Sequence, residues 1–311
     1  MIRRIVSTLL IAACTTLAAV SSLHAANSYI IVDNQTGVIL GSKNPNDKVQ
    51  IASLTKIATA AVTLDAAQLG LIQLTDMAVV PPAAMSAGGT NPIGLQPGDS
   101  LSLRDLIYSC LLASDNIAAA TLAHNVGARL QNSEGLAPIS NFVAHMNALA
   151  RALKMKRTLF LNPSGFDGNA EEALPYSTAA DVARLCRYAY GEADFPFYVS
   201  QKSRVIHVFR NGADIPVPIT NTNELLGQAG IDGIKTGSTS RAGGCLALSS
   251  EKTPEVKREG NTTYVTQRRL QVVMLGSRDR FPEGLNLINQ GWALYEKWAA
   301  EGRKIKGTPT L

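Results

Sequence analysis

The 311-residue chain is 46% hydrophobic and 17% charged, a balance that excludes a disordered or fibrous protein and is enough for one large domain or two modest ones. Its formal net charge of +5 falls to +3 once Arg3 and Arg4 are set aside with the leader described below, too mild and dispersed a charge for a nucleic-acid partner. There is no C-x-x-C, and none of the four histidines belongs to an H-E-x-x-H, so the simplest metal schemes fall away.

The chain opens with the basic "MIRR", the apolar "IVSTLLIAACTTLAAV" and the small residues of "SSLHAA". This order predicts a secretory signal peptide over residues 1–26, cut near Ala25 or Ala26. An uncleaved anchor would need about 20 apolar residues, so no transmembrane anchor is expected in the mature chain. "IAAC" resembles a lipobox ending at Cys14, but the apolar stretch runs well past it, which leaves lipidation a minor alternative. The mature protein is expected outside the cytoplasm, periplasmic or associated with the cell envelope. Cleavage leaves Cys110, Cys186 and Cys245 in apolar contexts, where buried thiols are expected and one disulfide is the alternative.

Residues 28–43 read as two short strands joined by "NQTG", a hairpin. Ala-rich Ile51–Leu69 predicts a helix stopped by Gly70. Residues 81–100 are rich in Pro and Gly and predict a loop. Ser102 and Asp105 form a capping box that opens a buried helix, "LRDLIYSCLLA". "SDN" at 114–116 interrupts it, and "IAAATLAHNVGARL" predicts a second helix. Further helices are expected over 139–154 and 177–190. Then "GIKTG", "GGCLALSS" and "RRLQVVMLGS" read as strands, with a polar stretch over 251–268 joining the last two, and "EGLNLINQGWALYEKWAA" reads as a final helix with Trp292 and Trp298 in its core face. Strands therefore flank a mostly helical middle, an α+β arrangement with one sheet built from both chain ends. No repeat or long linker divides it, so one domain is expected over 27–300, followed by a short tail, 301–311.

Three short motifs carry the chemistry. Ser53 and Lys56 lie three apart in an apolar run, which places them on one helical face. Ser114-Asp115-Asn116 and Lys235-Thr236-Gly237 follow. Each alone is weak: S-x-x-K recurs at Ser249–Lys252, S-D-N commonly caps helices, and K-T-G can simply end a strand. In this order they form the signature of serine enzymes that recognise penicillin. A buried lysine whose neutral form is favoured can take the proton of a serine one turn away. That assigns Ser53 as nucleophile and Lys56 as base. Ser114 would pass a proton to the leaving amine, and Asn116 would hold Lys56 and the substrate amide. Lys235 and Thr236 would meet the substrate, and Gly237 would let an extended peptide lie along the strand edge. The backbone N–H groups of Ser53 and Ser238 are the natural oxyanion pair. His124 and His145 read as packing or surface residues, and no G-x-S-x-G supports a Ser-His-Asp enzyme.

The resemblance extends beyond these triplets. "MNALARALKMKRTLFLNPSGFDG" (146–168), "YSTAADVARL" (176–185) and "IDGIKTGSTSRAGGCLALSS" (231–250) resemble stretches of the D-alanyl-D-alanine carboxypeptidases, and the similarity covers roughly residues 28–300. It implies a low-molecular-mass penicillin-binding protein, a serine peptidase that trims peptidoglycan stem peptides, with β-lactam antibiotics as inhibitors and neither metal nor organic cofactor. It also implies the transpeptidase-like (β-lactamase-like) fold: an antiparallel sheet with helices on both faces and a mostly helical subdomain. "SRDRF" (277–281) resembles a stretch whose arginine meets the substrate's terminal carboxylate, Arg280 in preference to Arg278. Asn162-Pro163-Ser164-Gly165 reads as a fixed turn that in the family helps wall the site. Asp115 stands where many members have glycine. The ending "EGRKIKGTPTL" resembles the shorter members, some of which are endopeptidases that cut D-alanyl cross-links. A β-lactamase is disfavoured because the nearest E-x-x-N, Glu283–Asn286, follows the K-T-G strand. A binding module without catalysis would have no need of Lys56.

Overall fold

The computed structural model describes residues 26–168, 174–192 and 194–311. All of the expected signal peptide except Ala26 lies outside them, Cys14 included. The N-terminal hairpin consists of β1 (Ser28–Asp33) and β2 (Ile39–Lys43). Asp33 closes its turn by accepting hydrogen bonds from the Thr36 N–H and hydroxyl at 2.7 and 2.6 Å. A 3₁₀ turn over Ala52–Thr55 leads into α1 (Lys56–Gln68). The segment β3 (Met77–Val79), β4 (Ser100–Ser102), α2 (Leu103–Tyr108) follows, and the Ser102 hydroxyl caps α2 by accepting from the Asp105 N–H at 3.0 Å. Then come α3 (Asn116–Gly127), α4 (Pro138–Ala152), α5 (Ala179–Ala189) and the short α6 (Phe195–Val199). The chain continues through β5 (Ser203–Arg210), β6 (Ala213–Thr220), β7 (Ile231–Thr239), β8 (Gly243–Glu259) and β9 (Thr262–Ser277), and α7 (Arg280–Ala300) is its last helix.

Five strands form an antiparallel sheet in the order β2-β1-β9-β8-β7. The chain ends meet inside it, with Ile30 opposite Val273 and Val32 opposite Gln271. Side chains alternate between faces along a strand. Ile30, Val32, Ala247, Val273 and Leu275 therefore join the large helical core, while Ile31, Leu248, Leu270, Val272 and Met274 pack against Trp292, Tyr295 and Trp298 of α7. Burial on both faces explains the near-continuous apolar runs of β8 and β9.

Two expectations need correction. The polar stretch 251–268 is not a connection: β8 and β9 run on through it as a two-stranded ribbon and turn at Gly260-Asn261. Its charged side chains reach solvent while its backbone groups pair across the ladder, so polarity alone gave no strand signal. A second sheet, β3-β4-β5-β6, stands within what read as the helical middle and the turns after it. Its longest pair, the β5–β6 hairpin, turns at Asn211-Gly212, both with positive φ (52° and 79°), the backbone an Asn-Gly turn favours. Residues 301–311 fold back onto the N-terminal hairpin: the Ile39 N–H donates to the Pro309 carbonyl at 2.9 Å and the Leu311 N–H to the Gly37 carbonyl at 3.0 Å. Cys110, Cys186 and Cys245 are all free and buried. Among the described residues no helix is long and apolar enough to cross a membrane.

Candidate active site

Ser53 sits in the 3₁₀ turn rather than in α1 itself, and Lys56 is the first residue of that helix. Residues i and i+3 eclipse one another in a 3₁₀ turn, which brings Lys56 into line with Ser53. Its Nζ donates to Ser53 Oγ at 2.9 Å, to Asn116 Oδ1 at 2.7 Å and to the Ser164 carbonyl at 3.2 Å. These three acceptors match the three N–H bonds of an ammonium. Lys56 is wholly buried, and loss of hydration pulls its pKa down to about 8, against the smaller opposing fields of Cys110 and Asp115.

The second motif is shaped by its backbone. The helix that begins with α2 loosens into a π-helical turn over Ser109–Ala113, and Ser114 then takes a left-handed conformation (φ 60°). Asp115 turns away from the cleft to cap α3, accepting from the Ala118 N–H at 2.9 Å. Burial pushes its carboxyl up to about 6, opposed by the backbone N–H groups it faces and by Lys56. Asn116, the first residue of α3, is thereby aimed at Lys56, and its Nδ2 donates to the Gly88 carbonyl at 3.0 Å.

A third wall is the turn over 162–165. Asn162 Oδ1 accepts from the N–H groups of Ser164 and Gly165 at 3.1 and 2.7 Å, and Thr59 Oγ1 donates to the Pro163 carbonyl at 2.6 Å. Gly165 has φ 76°, and a Cβ there would lie 2.0 Å from the Ala52 carbonyl oxygen, so only glycine lets this turn close on the Ser53 segment.

The fourth wall is β7, an edge strand. A Cβ on Gly237 would lie 3.0 Å from the Ser53 amide nitrogen, so the strand runs directly beside the serine. Lys235 is buried, and its Nζ donates to the Thr236 carbonyl at 3.1 Å. Burial, together with the positive charges of Lys56 and Arg280, holds its pKa well below the usual lysine range. The hydroxyls of Thr236 and Thr222 share a hydrogen bond of 2.6 Å. Arg280 Nη1 donates to the Gly237 carbonyl at 3.2 Å.

These walls enclose a cleft of about 500 Å³ lined by Ser53, Ser114, Asn116, Thr236, Gly237, Ser238 and Arg280, among others. Lys56 and Lys235 lie buried beside it. Arg278 is exposed and does not line it, nor do His124 and His145. The second S-x-x-K is on strand β8, where Ser249 and Lys252 fall on opposite faces; Lys252 pairs with Glu296 at 3.1 Å. Sequence reasoning missed the contributions of Gly89, Thr90, Phe166, Asp167 and Thr222. Gly89 and Thr90 belong to the segment read only as a loop, and Thr222 had no motif to mark it. Among the described residues no cluster of His, Cys, Asp and Glu could hold a metal ion.

A serine hydroxyl against a desolvated lysine, beside an edge strand and a cationic corner, is an arrangement suited to acyl transfer. A sequence profile described as D-alanyl-D-alanine carboxypeptidase matches residues 15–257. Similar proteins include the D-alanyl-D-alanine carboxypeptidase DacF of Bacillus subtilis, 30% identical over 74% of this chain and 55% of its own length. The carboxypeptidase DacC of Escherichia coli is 30% identical over 87% and 62%, and a D-alanyl-D-alanine endopeptidase of Pseudomonas aeruginosa 33% over 72% and 66%. The chain thus spans between about half and two thirds of these relatives. Among solved structures, a mutant Streptomyces DD-transpeptidase superposes with a TM-score of 0.72 at 26% identity, covering 86% of this chain and 98% of that one. A Listeria monocytogenes penicillin-binding protein in its cefotaxime-bound form gives 0.67 at 27%, covering 86% and 97%. The fold is the α+β, transpeptidase-like one.

Proposed function

The chain belongs to the D-alanyl-D-alanine carboxypeptidase family, and from that premise we propose that it is a serine-type D-Ala-D-Ala carboxypeptidase acting on peptidoglycan stem peptides. The observation that carries the reading is the 2.9 Å contact between Lys56 Nζ and Ser53 Oγ, with the amine out of water and its pKa drawn down to about 8. A neutral Lys56 takes the Ser53 proton as Oγ attacks the penultimate D-Ala carbonyl. The N–H groups of Ser53 and Ser238 hold the developing oxyanion. The proton reaches the departing D-Ala amine through Ser114, while Asn116 keeps Lys56 in place and meets the substrate amide. The terminal carboxylate sits against Lys235, Thr236 and Arg280, and the peptide lies along β7 past Gly237. Water then hydrolyses the Ser53 ester, and the chemistry calls for neither metal nor organic cofactor.

In this reading β-lactams acylate the same serine, residues 27–300 are the peptidase domain, and residues 1–26 direct export to the periplasm or cell envelope. The similarity to an endopeptidase favours a second reading, in which the leaving group is a cross-linked diamino acid. Incubation with a peptide ending in D-Ala-D-Ala tests the proposal directly: stoichiometric release of free D-Ala, lost in Ser53→Ala, is expected. Cleavage only of a D-alanyl cross-linked dimer would move the assignment to the endopeptidase, and cleavage of neither would remove both.

A further inference from the structure

The charge along the cleft is unevenly placed. Among the described residues that line it, Arg280 and Asp167 carry the only charged side chains. Arg280 stands at one end, bonded to the Gly237 carbonyl at 3.2 Å. Asp167 stands two residues further along β7, where its Oδ2 accepts from the Thr239 hydroxyl at 2.7 Å. Thr239 Oγ1 in turn accepts from the Ala242 N–H at 3.0 Å. The carboxylate is therefore fixed at the Thr239 end of the strand, and Asp167 as a residue is 6% exposed. A carboxylate accepts several hydrogen bonds at once, so one bond from a neutral hydroxyl leaves both capacity and charge for a ligand.

The spacing along β7 sets what that ligand is. This step rests on the peptidase reading above. A peptide added antiparallel to the strand keeps step with it at roughly 3.3 Å per residue. With its terminal carboxylate against Arg280 beside Gly237, its residue two positions before the C-terminus lies opposite Thr239, within reach of Asp167. We propose that Asp167 is a specificity-determining residue that receives the side-chain ammonium of a diamino acid at that position of the substrate. The cleft then reads both ends of a short segment, a carboxylate at Arg280 and a cation at Asp167. A charge-assisted bond at a partly desolvated site outweighs one between neutral partners.

Three peptides differing only in side-chain charge test this: Nα-acetyl-Lys-D-Ala-D-Ala with a free ε-amine, and the same peptide with that amine acetylated or succinylated. The expected result is that the free amine gives a kcat/KM about tenfold above the acetylated peptide, with the succinylated one lowest. Asp167→Asn keeps an acceptor for Thr239 and the same volume but removes the charge, and should collapse the ratio to near one. If the unaltered protein cleaves all three peptides equally, or if Asp167→Asn slows all three alike with the ratio intact, Asp167 is only a brace and the inference is overturned. Even if the variant folds poorly, equal cleavage of the three peptides by the unaltered protein overturns the inference. Cleavage of none of the three would instead strike at the peptidase assignment itself, and with it this inference.

Discussion

Burial makes an ammonium at Lys56 expensive, and the same burial is what fits it to act as a base. Its neutral form takes the proton, and its pKa is lowered to about 8 from 10.5. The sign follows: below pH 8 most of the amine is protonated and idle, so the rate of penicillin acylation should climb about tenfold per pH unit toward 8 and level off above it. A stopped-flow pH profile checks this, and a rate independent of pH between 6 and 9 would contradict it. Gly237 offers a second test. A Cβ there would meet the Ser53 amide nitrogen at 3.0 Å and the Ala52 Cβ at 3.2 Å. Gly237→Ala should therefore push β7 off the serine and slow acylation about tenfold or more, with little change in melting temperature. Ser53, Lys56, Asn116 and Lys235 were legible as candidates because three motifs, each weak alone, stand in one order along the chain, and because a lysine in apolar surroundings is costly without a partner. Asp115 was legible as a departure, and S-D-N as a common helix cap. The structure assigns the cap of α3 to the Asp115 carboxylate, which accepts from the Ala118 N–H after the left-handed turn at Ser114.

Among the elements, those with local signals read well. The turn of the N-terminal hairpin, the Ser102 cap and the apolar stripe of α7 are each decided by neighbours in sequence. Ser102→Ala should lower stability by about 1 kcal/mol by leaving the Asp105 N–H without its acceptor. Chemical denaturation measures this, and because α2 leads into the turn that presents Ser114, acylation should weaken with it. The β5–β6 hairpin has a local signal too, the Asn-Gly at 211–212, but Pro216 and Pro218 in the following segment argue against a strand there. Those prolines fit because β6 is the edge of its sheet, a fact of topology that the sequence does not carry. The β8–β9 ribbon was hidden for a different reason: with both faces wet, it shows no apolar alternation.

Across the whole molecule, the five-stranded sheet separates two cores, and the cleft belongs to the helical side. Trp292 packs on the other face, under α7, with its Nε1 donating to Ser250 Oγ at 2.9 Å. Trp292→Ala should cost about 3–5 kcal/mol yet leave acylation per folded molecule unchanged, as thermal melts combined with active-site titration would show. The joining of chain ends in one sheet came from the family resemblance and from strands at both ends, whereas the second sheet required long-range pairing that no window of sequence contains.

The central claim is that Ser53 is the nucleophile. Its most direct test is intact mass after brief exposure to benzylpenicillin, followed by peptide mapping. The account predicts a single adduct on the peptide containing Ser53, absent in Ser53→Ala and strongly slowed in Lys56→Met. An adduct on Ser114 or Ser249, or one that persists in Ser53→Ala, would contradict it.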